Sequence, residues 1–149
     1  MNCRQCVFQT DKGPDPYVAN IEQMAVRNPN FRTAIWTGCH MQMTIMSIPP
    51  CGEIGQEIHQ DTDQLIRVEQ GKAEVMIGKC EEKKDFHKFM CKGDAVFIPA
   101  GSWHNIINVG RIPLMLLHIS VNRRADSADI GVTFPEPSAY NSAQTACFY

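Results

Sequence analysis

The chain has 149 residues, of which 44% are hydrophobic and 20% are charged, and its formal net charge is −2 at pH 7. This length and composition predict one globular domain with a buried core. The near-neutral charge excludes the basic surface that binding to nucleic acid or to an anionic membrane would require. No apolar run approaches membrane-spanning length and no hydrophobic signal segment follows Met1, so we expect a cytoplasmic protein.

Cysteine is frequent in the chain, and most of the thiols are expected to be reduced in the cytoplasm. Cys3-x2-Cys6 has the spacing of half a zinc ribbon or of a redox pair. No second Cys-x2-Cys motif is present, so an irregular N-terminus is the favoured interpretation. The seven cysteines are Cys3, Cys6, Cys39, Cys51, Cys80, Cys91 and Cys147.

Residues 1–30 are predicted to form a leader that ends in one short helix. Prolines and a glycine among the first sixteen residues favour irregular backbone. Asn20 is a typical helix N-cap, and the helix is predicted to run to about Arg27. It ends there because Pro29 disfavours helical geometry at the residue before it.

Residues 31–120 carry the alternation of β-strands, whereas 121–149 have no clear periodicity and are predicted to form an extended tail. Short strands separated by glycine- and proline-rich turns predict an all-β sandwich or barrel. The predicted strands are Phe31–Thr37, Met41–Ile48, Glu57–His59, Gln64–Glu69, Lys72–Ile77, Phe86–Met90, Ala95–Ile98, His104–Asn108 and Leu114–Ser120.

Two separate stretches present residues that can bind a metal ion. Glu57 and His59 are two residues apart on a predicted strand, so both project to the same face. A predicted strand begins at Gln64, after a predicted bend at 61–63, and a later predicted strand begins at His104. Two imidazoles, one carboxylate and one amide oxygen suit Fe, Mn, Zn, Ni or Co better than Ca, which prefers oxygen ligands.

Each of these residues also has a purely structural interpretation. A single histidine on a strand is more often packed and hydrogen-bonded than bound to a metal. Glu57 can be a surface acid, and Gln64 can be a polar residue at a sheet edge. The metal-site hypothesis is favoured because two independent hairpins supply compatible ligands.

These stretches resemble the paired motifs of the cupin superfamily. The second motif, Gly-x5-Pro-x-Gly-x2-His-x3-Asn, is met at each of its positions between 93 and 108. The first motif, Gly-x5-His-x-His-x(3,4)-Glu-x6-Gly, is met with substitutions. Anchoring it on Gly71 puts Gln64 at the Glu position, His59 at the second His and Glu57 at the first His. The motif has five residues between its first Gly and its first His, so Gly52 lies one residue too close to Glu57.

The resemblance implies a double-stranded β-helix (jelly-roll) barrel over residues 31–120, with one divalent metal bound by Glu57, His59, Gln64 and His104. Small single-domain cupins, including proteins labelled mannose-6-phosphate isomerase-like, are linked to isomerase and dioxygenase chemistry on small polar metabolites. In such an enzyme Glu57 is the candidate catalytic residue, because a loosely bound carboxylate can act as a general base.

The alternative function is a binding or sensing module that holds a metal or small ligand without turnover. The resemblance also implies a homodimer, with the segment before Phe31 as a candidate swapped strand. Among the other polar residues, Asp61 and Asp63 are candidates to support the ligands, although solvated turn acids are the commoner case. His118 is expected to be a core or pocket-rim histidine, and Trp103 a packing residue or a pocket wall.

Overall fold

A computed structural model describes residues 11–122 of the chain. The predicted Cys-x2-Cys pair and all but the first two residues of the predicted tail therefore lie outside the described residues. Within them, one helix is followed by eight strands. The elements are α1 (Ile21–Val26), β1 (Arg32–Thr37), β2 (Met41–Ile48), β3 (Thr62–Gln70), β4 (Lys72–Gly78), β5 (Phe86–Cys91), β6 (Ala95–Ile98), β7 (Trp103–Asn108) and β8 (Leu114–Asn122).

The strands form two antiparallel sheets that pack face to face. The larger sheet has the order β1-β2-β8-β3-β6, and the smaller has the order β5-β4-β7. Apolar side chains from the inner faces of both sheets form one core, as the alternating pattern predicts. Its fully buried members include Met46, Ile66, Val75, Ile106 and Leu116.

A second, smaller core explains why β8 is apolar on both faces. Leu116 faces the sandwich interior, whereas Met115 faces outward beneath α1. There it packs with Ala25 of the helix and Ile45 of β2. The helix begins where predicted, because the Asn20 Oδ1 accepts a hydrogen bond from the Gln23 backbone N–H at 3.0 Å.

The predicted strand Glu57–His59 is wrong. Segment 52–57 instead runs beside β7 through two isolated bridges, Glu53 to Ile107 and Glu57 to His104. Gly55 lies between the bridges with a φ of 95°, which interrupts the extended backbone that a continuous strand needs.

The predicted bend at 61–63 is also wrong in part, because β3 already begins at Thr62. Thr62 and Asp63 pair with Asn122 and Val121 at the far end of β8. Those partners are distant in sequence, so turn-forming residue types at 61–63 were a misleading signal. Cys39, Cys51 and Cys80 are free and exposed, but Cys91 is disulfide-bonded.

The outer edge of β1 is covered by the leader of the same chain. The Lys12 N–H donates a hydrogen bond to the Ile35 carbonyl at 3.0 Å. The Trp36 indole N–H donates to the Asp15 carbonyl at 2.8 Å. Among the residues described, this edge is therefore shielded from further strand pairing at its centre.

Candidate metal centre

Glu57 and His104 are held opposite each other by their backbones. The Glu57 N–H donates to the His104 carbonyl at 3.0 Å, and the His104 N–H donates to the Glu57 carbonyl at 2.9 Å. Residues that exchange both hydrogen bonds in an antiparallel pair project their side chains to the same face. The backbone therefore brings two of the predicted ligands together.

Glu57, His59 and His104 form a compact group that could hold a metal ion. One potential ligand atom from each lies within 4.8 Å of the other two. The Glu57 Oε1 is 3.2 Å from His104 Nε2 and 3.4 Å from His59 Nε2. The two imidazole ring centres are 5.9 Å apart. The structure thus gathers three of the four residues that the two sequence stretches pointed to.

The tight turn before β7 sets the orientation of His104. Gly101 has a φ of 76°, a left-handed conformation that glycine adopts without strain. Two residues before His104, the Ser102 carbonyl accepts a hydrogen bond from His104 Nδ1 at 3.0 Å. A carbonyl can only accept, so Nδ1 carries the proton and a neutral His104 directs its Nε2 lone pair toward Glu57.

The same turn also positions His59. The Gly101 N–H donates to the His59 carbonyl at 2.7 Å, which joins the segment that carries His59 to the turn before His104. The His59 Nε2 is buried and has no hydrogen-bond partner among the described residues. Its contact with Glu57 at 3.4 Å is close but lacks hydrogen-bond geometry.

Gln64 lies on the inner face of β3, in phase with Ile66 and Val68 as the alternation predicted. Its side chain is only 3% exposed, and neither amide atom has a hydrogen-bond partner among the residues described. Leaving a buried amide unpaired costs roughly 1–3 kcal/mol per group. The amide is therefore free to act as a fourth ligand.

Glu57 is strongly acidic in this environment. When His104 also carries a proton on Nε2, the hydrogen bond that it donates lowers the pKa of Glu57 to about 2, and the positive charges of the two protonated imidazoles add to this against the opposing effect of burial. The carboxylate therefore stays ionised at any physiological pH. Such a group is a good ligand for a cation and a weak general base.

A cavity of about 350 Å³ adjoins the cluster and is lined by His59. His118 of β8 lines it too, as the predicted pocket-rim residue, with the Thr44 hydroxyl 3.2 Å from Nδ1 and no partner for Nε2 in the described chain. Arg32, Gln42 and Ser120 also line the cavity. These residues match no metal-ligand spacing, which is why motif analysis does not find them.

The remaining candidates from the sequence occupy different environments. The Asp63 Oδ1 accepts a hydrogen bond from the Ala100 N–H at 2.8 Å, so it holds the turn before His104. Asp61 is exposed, and Trp103 does not line the cavity. Asn108 is buried at the other end of β7, where its Nδ2 donates to the Ile48 and Ile112 carbonyls at 2.9 Å each. Asn108 is therefore a structural residue.

Comparison with known families bears on this site. The family model for the cupin domain matches residues 44–120, more than half of the chain. The chain belongs to the cupin family. The two sheets are accordingly the halves of a cupin double-stranded β-helix, and the cluster lies where residues from both motifs meet.

Relatives support the assignment to the cupins. The uncharacterized protein YrkC of Bacillus subtilis is 45% identical over 109 residues, which are 73% of this chain and 59% of that protein. An uncharacterized protein of Acanthamoeba polyphaga mimivirus is 39% identical over 102 residues, 68% of this chain and 62% of that protein. The matched part of this cupin thus spans about three fifths of either relative.

A solved structure, BH2720 from Bacillus halodurans, is similar over most of its length. It is 44% identical and superimposes with a TM-score of 0.75, covering 77% of this chain and 87% of that chain. Within residues 11–122 of this chain, no helix is long and apolar enough to cross a membrane.

His118 makes stability depend on pH. Burial, followed by the charge of Arg32, lowers its pKa from 6.5 to about 4. Below pH 6.5 the unfolded chain therefore binds a proton at His118 that the folded chain does not bind. As a result, the free energy of unfolding falls from pH 6.5 to about pH 4 and is then constant. We expect this residue to contribute about 3–4 kcal/mol to the loss, at about 1.4 kcal/mol per pKa unit.

Urea unfolding at pH 7.5 and pH 4.5 measures this effect. Wild type is expected to lose more stability on acidification than His118→Gln, because all other titrating groups are shared. His40→Gln, which changes an exposed histidine, serves as the control and should follow wild type. If wild type and His118→Gln lost the same free energy of unfolding between pH 7.5 and pH 4.5, the prediction would be contradicted.

Proposed function

We propose that this cupin binds one divalent transition metal through Glu57, His59, Gln64 and His104. The contact between His104 and Glu57 carries the proposal. With Nδ1 committed to the Ser102 carbonyl, a neutral His104 and an ionised Glu57 point lone pairs at each other across 3.2 Å. A positive charge is needed between them, either a proton on Nε2 or a metal ion.

The unpaired atoms around that contact favour the metal. One added proton would satisfy His104 and Glu57 but would leave His59 Nε2 and the Gln64 amide unpaired. A metal ion would take all four groups at once. Nitrogen and oxygen ligands in this proportion suit Fe, Mn, Zn, Ni or Co.

We further propose that the metal serves an enzyme acting on a small polar metabolite. When bound, it would supply Lewis-acid chemistry for an isomerase or redox chemistry for a dioxygenase. The adjoining cavity of about 350 Å³ lies at the small end of the range for ligand sites, which supports a small substrate. The low pKa of Glu57 favours it as a ligand over the general base that the sequence suggested.

Elemental analysis of untagged protein tests the metal site. Wild type is expected to contain about one metal per chain, and His59→Ala and His104→Ala are expected to lose most of it because each removes a ligand. His87→Ala is the matched control, since His87 is exposed and contacts Glu74 away from the cavity. Wild type that remains metal-free after reconstitution with each candidate metal would overturn the proposal. Metal without any turnover would favour the binding or sensing alternative.

Gln64→Glu tests the fourth ligand separately. A carboxylate binds divalent metals more strongly than an amide, so we expect metal affinity to rise about tenfold in a chelator competition. The same change should destabilise the metal-free protein, because it buries a carboxylate at a position where no described residue pairs with the side chain. Gln23→Glu, at an exposed position of α1, is the control for an added charge. Unchanged affinity in Gln64→Glu would remove Gln64 from the ligand set.

We also propose a homodimer. The covered edge of β1 argues against a swapped leader strand, so the support comes from β6, which pairs only with β3 within residues 11–122. Such an edge can be protected by a second copy. Light scattering should give twice the 16.8 kDa chain mass. A mass of one chain at micromolar concentration would contradict this.

A further inference from the structure

Arg32 directs a charged group over the inner face of the larger sheet. It pairs in register with Met46, so the two side chains share a face. The Arg32 Nη2 lies 3.7 Å from the sulfur of Met46, which is fully buried in the core. Arg32 is an exposed residue that lines the cavity, so its guanidinium lies at the solvent-facing margin of that cavity.

This guanidinium has no charge partner in the described chain. No carboxylate of residues 11–122 lies within 4.0 Å of it, whereas Arg67 is paired with Glu69 at 3.0 Å. No Asp or Glu among the described residues lines the cavity either. An arginine beside a small cavity without an acidic partner has donors available for a negatively charged ligand.

The placement of charge in the metal cluster fits the same ligand. Gln64 pairs with Ser120, which lines the cavity, so the cluster presents a neutral amide on that strand. The one carboxylate of the cluster, Glu57, lies across from it beside β7 and does not line the cavity. An anion that enters past Ser120 therefore meets little repulsion.

His118 supplies a polar group to the lining of the cavity. Its Nδ1 contacts the Thr44 hydroxyl, and its Nε2 is unpartnered within residues 11–122 although the side chain is only 4% exposed. Because His118 and His59 line the same cavity, a bound molecule can reach both. A hydrogen bond from the ligand would satisfy the buried Nε2.

We propose that the cavity binds a small carboxylic acid, whose carboxylate is held by Arg32 and whose body extends past His118 toward His59. This inference rests on the proposed function, because His59 belongs to the metal cluster. A carboxylate is favoured over a phosphate because a single guanidinium matches one negative charge in a bidentate pair. No lysine among the described residues and no helix N-terminus lines the cavity to balance a second charge.

Isothermal titration calorimetry on metal-loaded protein tests the inference. The probes are lactate, pyruvate, inorganic phosphate and, as a cation of similar size, choline. We expect lactate or pyruvate to bind, and Arg32→Gln to weaken that binding at least tenfold because it removes the charge and the fork of donors. Arg32→Lys keeps the charge without the fork and should lie between the two.

Arg111→Gln is the matched control, since Arg111 is exposed in the turn before β8 and does not line the cavity. Metal content and thermal unfolding are measured on the same samples, so loss of metal or of folding is separated from loss of the anion site. Binding of either carboxylate to wild type and Arg111→Gln but not to Arg32→Gln supports the inference.

Three results would overturn it: no binding of either carboxylate at millimolar concentration, equal binding by Arg32→Gln, or binding of phosphate alone. Titration of protein stripped of metal distinguishes the two proposals. If wild type takes up no metal but still binds a carboxylate, and Arg32→Gln does not, the anion site is supported and the metal proposal fails. If wild type takes up metal but binds no carboxylate, the metal site is supported and the anion site fails.

Discussion

Two backbone hydrogen bonds between Glu57 and His104 determine where the chemistry of this cupin is placed. They join the segment that carries the first motif to the strand that carries the second, and they force both side chains onto one face. The turn at Gly101 adds a third bond, to the His59 carbonyl, and so ties the remaining imidazole to the same strand. The donor group is therefore positioned by main-chain geometry, which leaves the side chains free to serve as ligands.

Local signals were enough to predict most of the fold. Alternation gave β2 and β6 their observed bounds, and Asn20 caps the helix because capping depends on neighbouring residues alone. Prediction failed where the backbone depends on distant partners. The extension of β3 back to Thr62 requires the end of β8, and the isolated bridge at Glu57 requires β7. Neither partner can be read from nearby residues.

The cluster could be predicted from the sequence, whereas the cavity could not. Ligands at fixed spacing on two hairpins could be found by motif, and the structure brings Glu57, His59 and His104 together. Arg32 and His118 carry no spacing signal, because they meet only through the register of β1 on β2 and of β2 on β8. A shift of one residue in either pairing would turn these side chains to the opposite face. One sequence does not determine such a register.

The departures from the first cupin motif have a consistent electrostatic effect. A motif with three histidines and one glutamate carries one negative charge, and the proposed set of Glu57, His59, Gln64 and His104 also carries one. The total charge offered to a metal is thus preserved, while the carboxylate moves from β3 to the segment opposite His104. The move takes the negative charge away from the strand that borders the cavity and leaves an amide there. With a divalent cation in place and Arg32 at the other margin, the cavity would present net positive charge to whatever enters it.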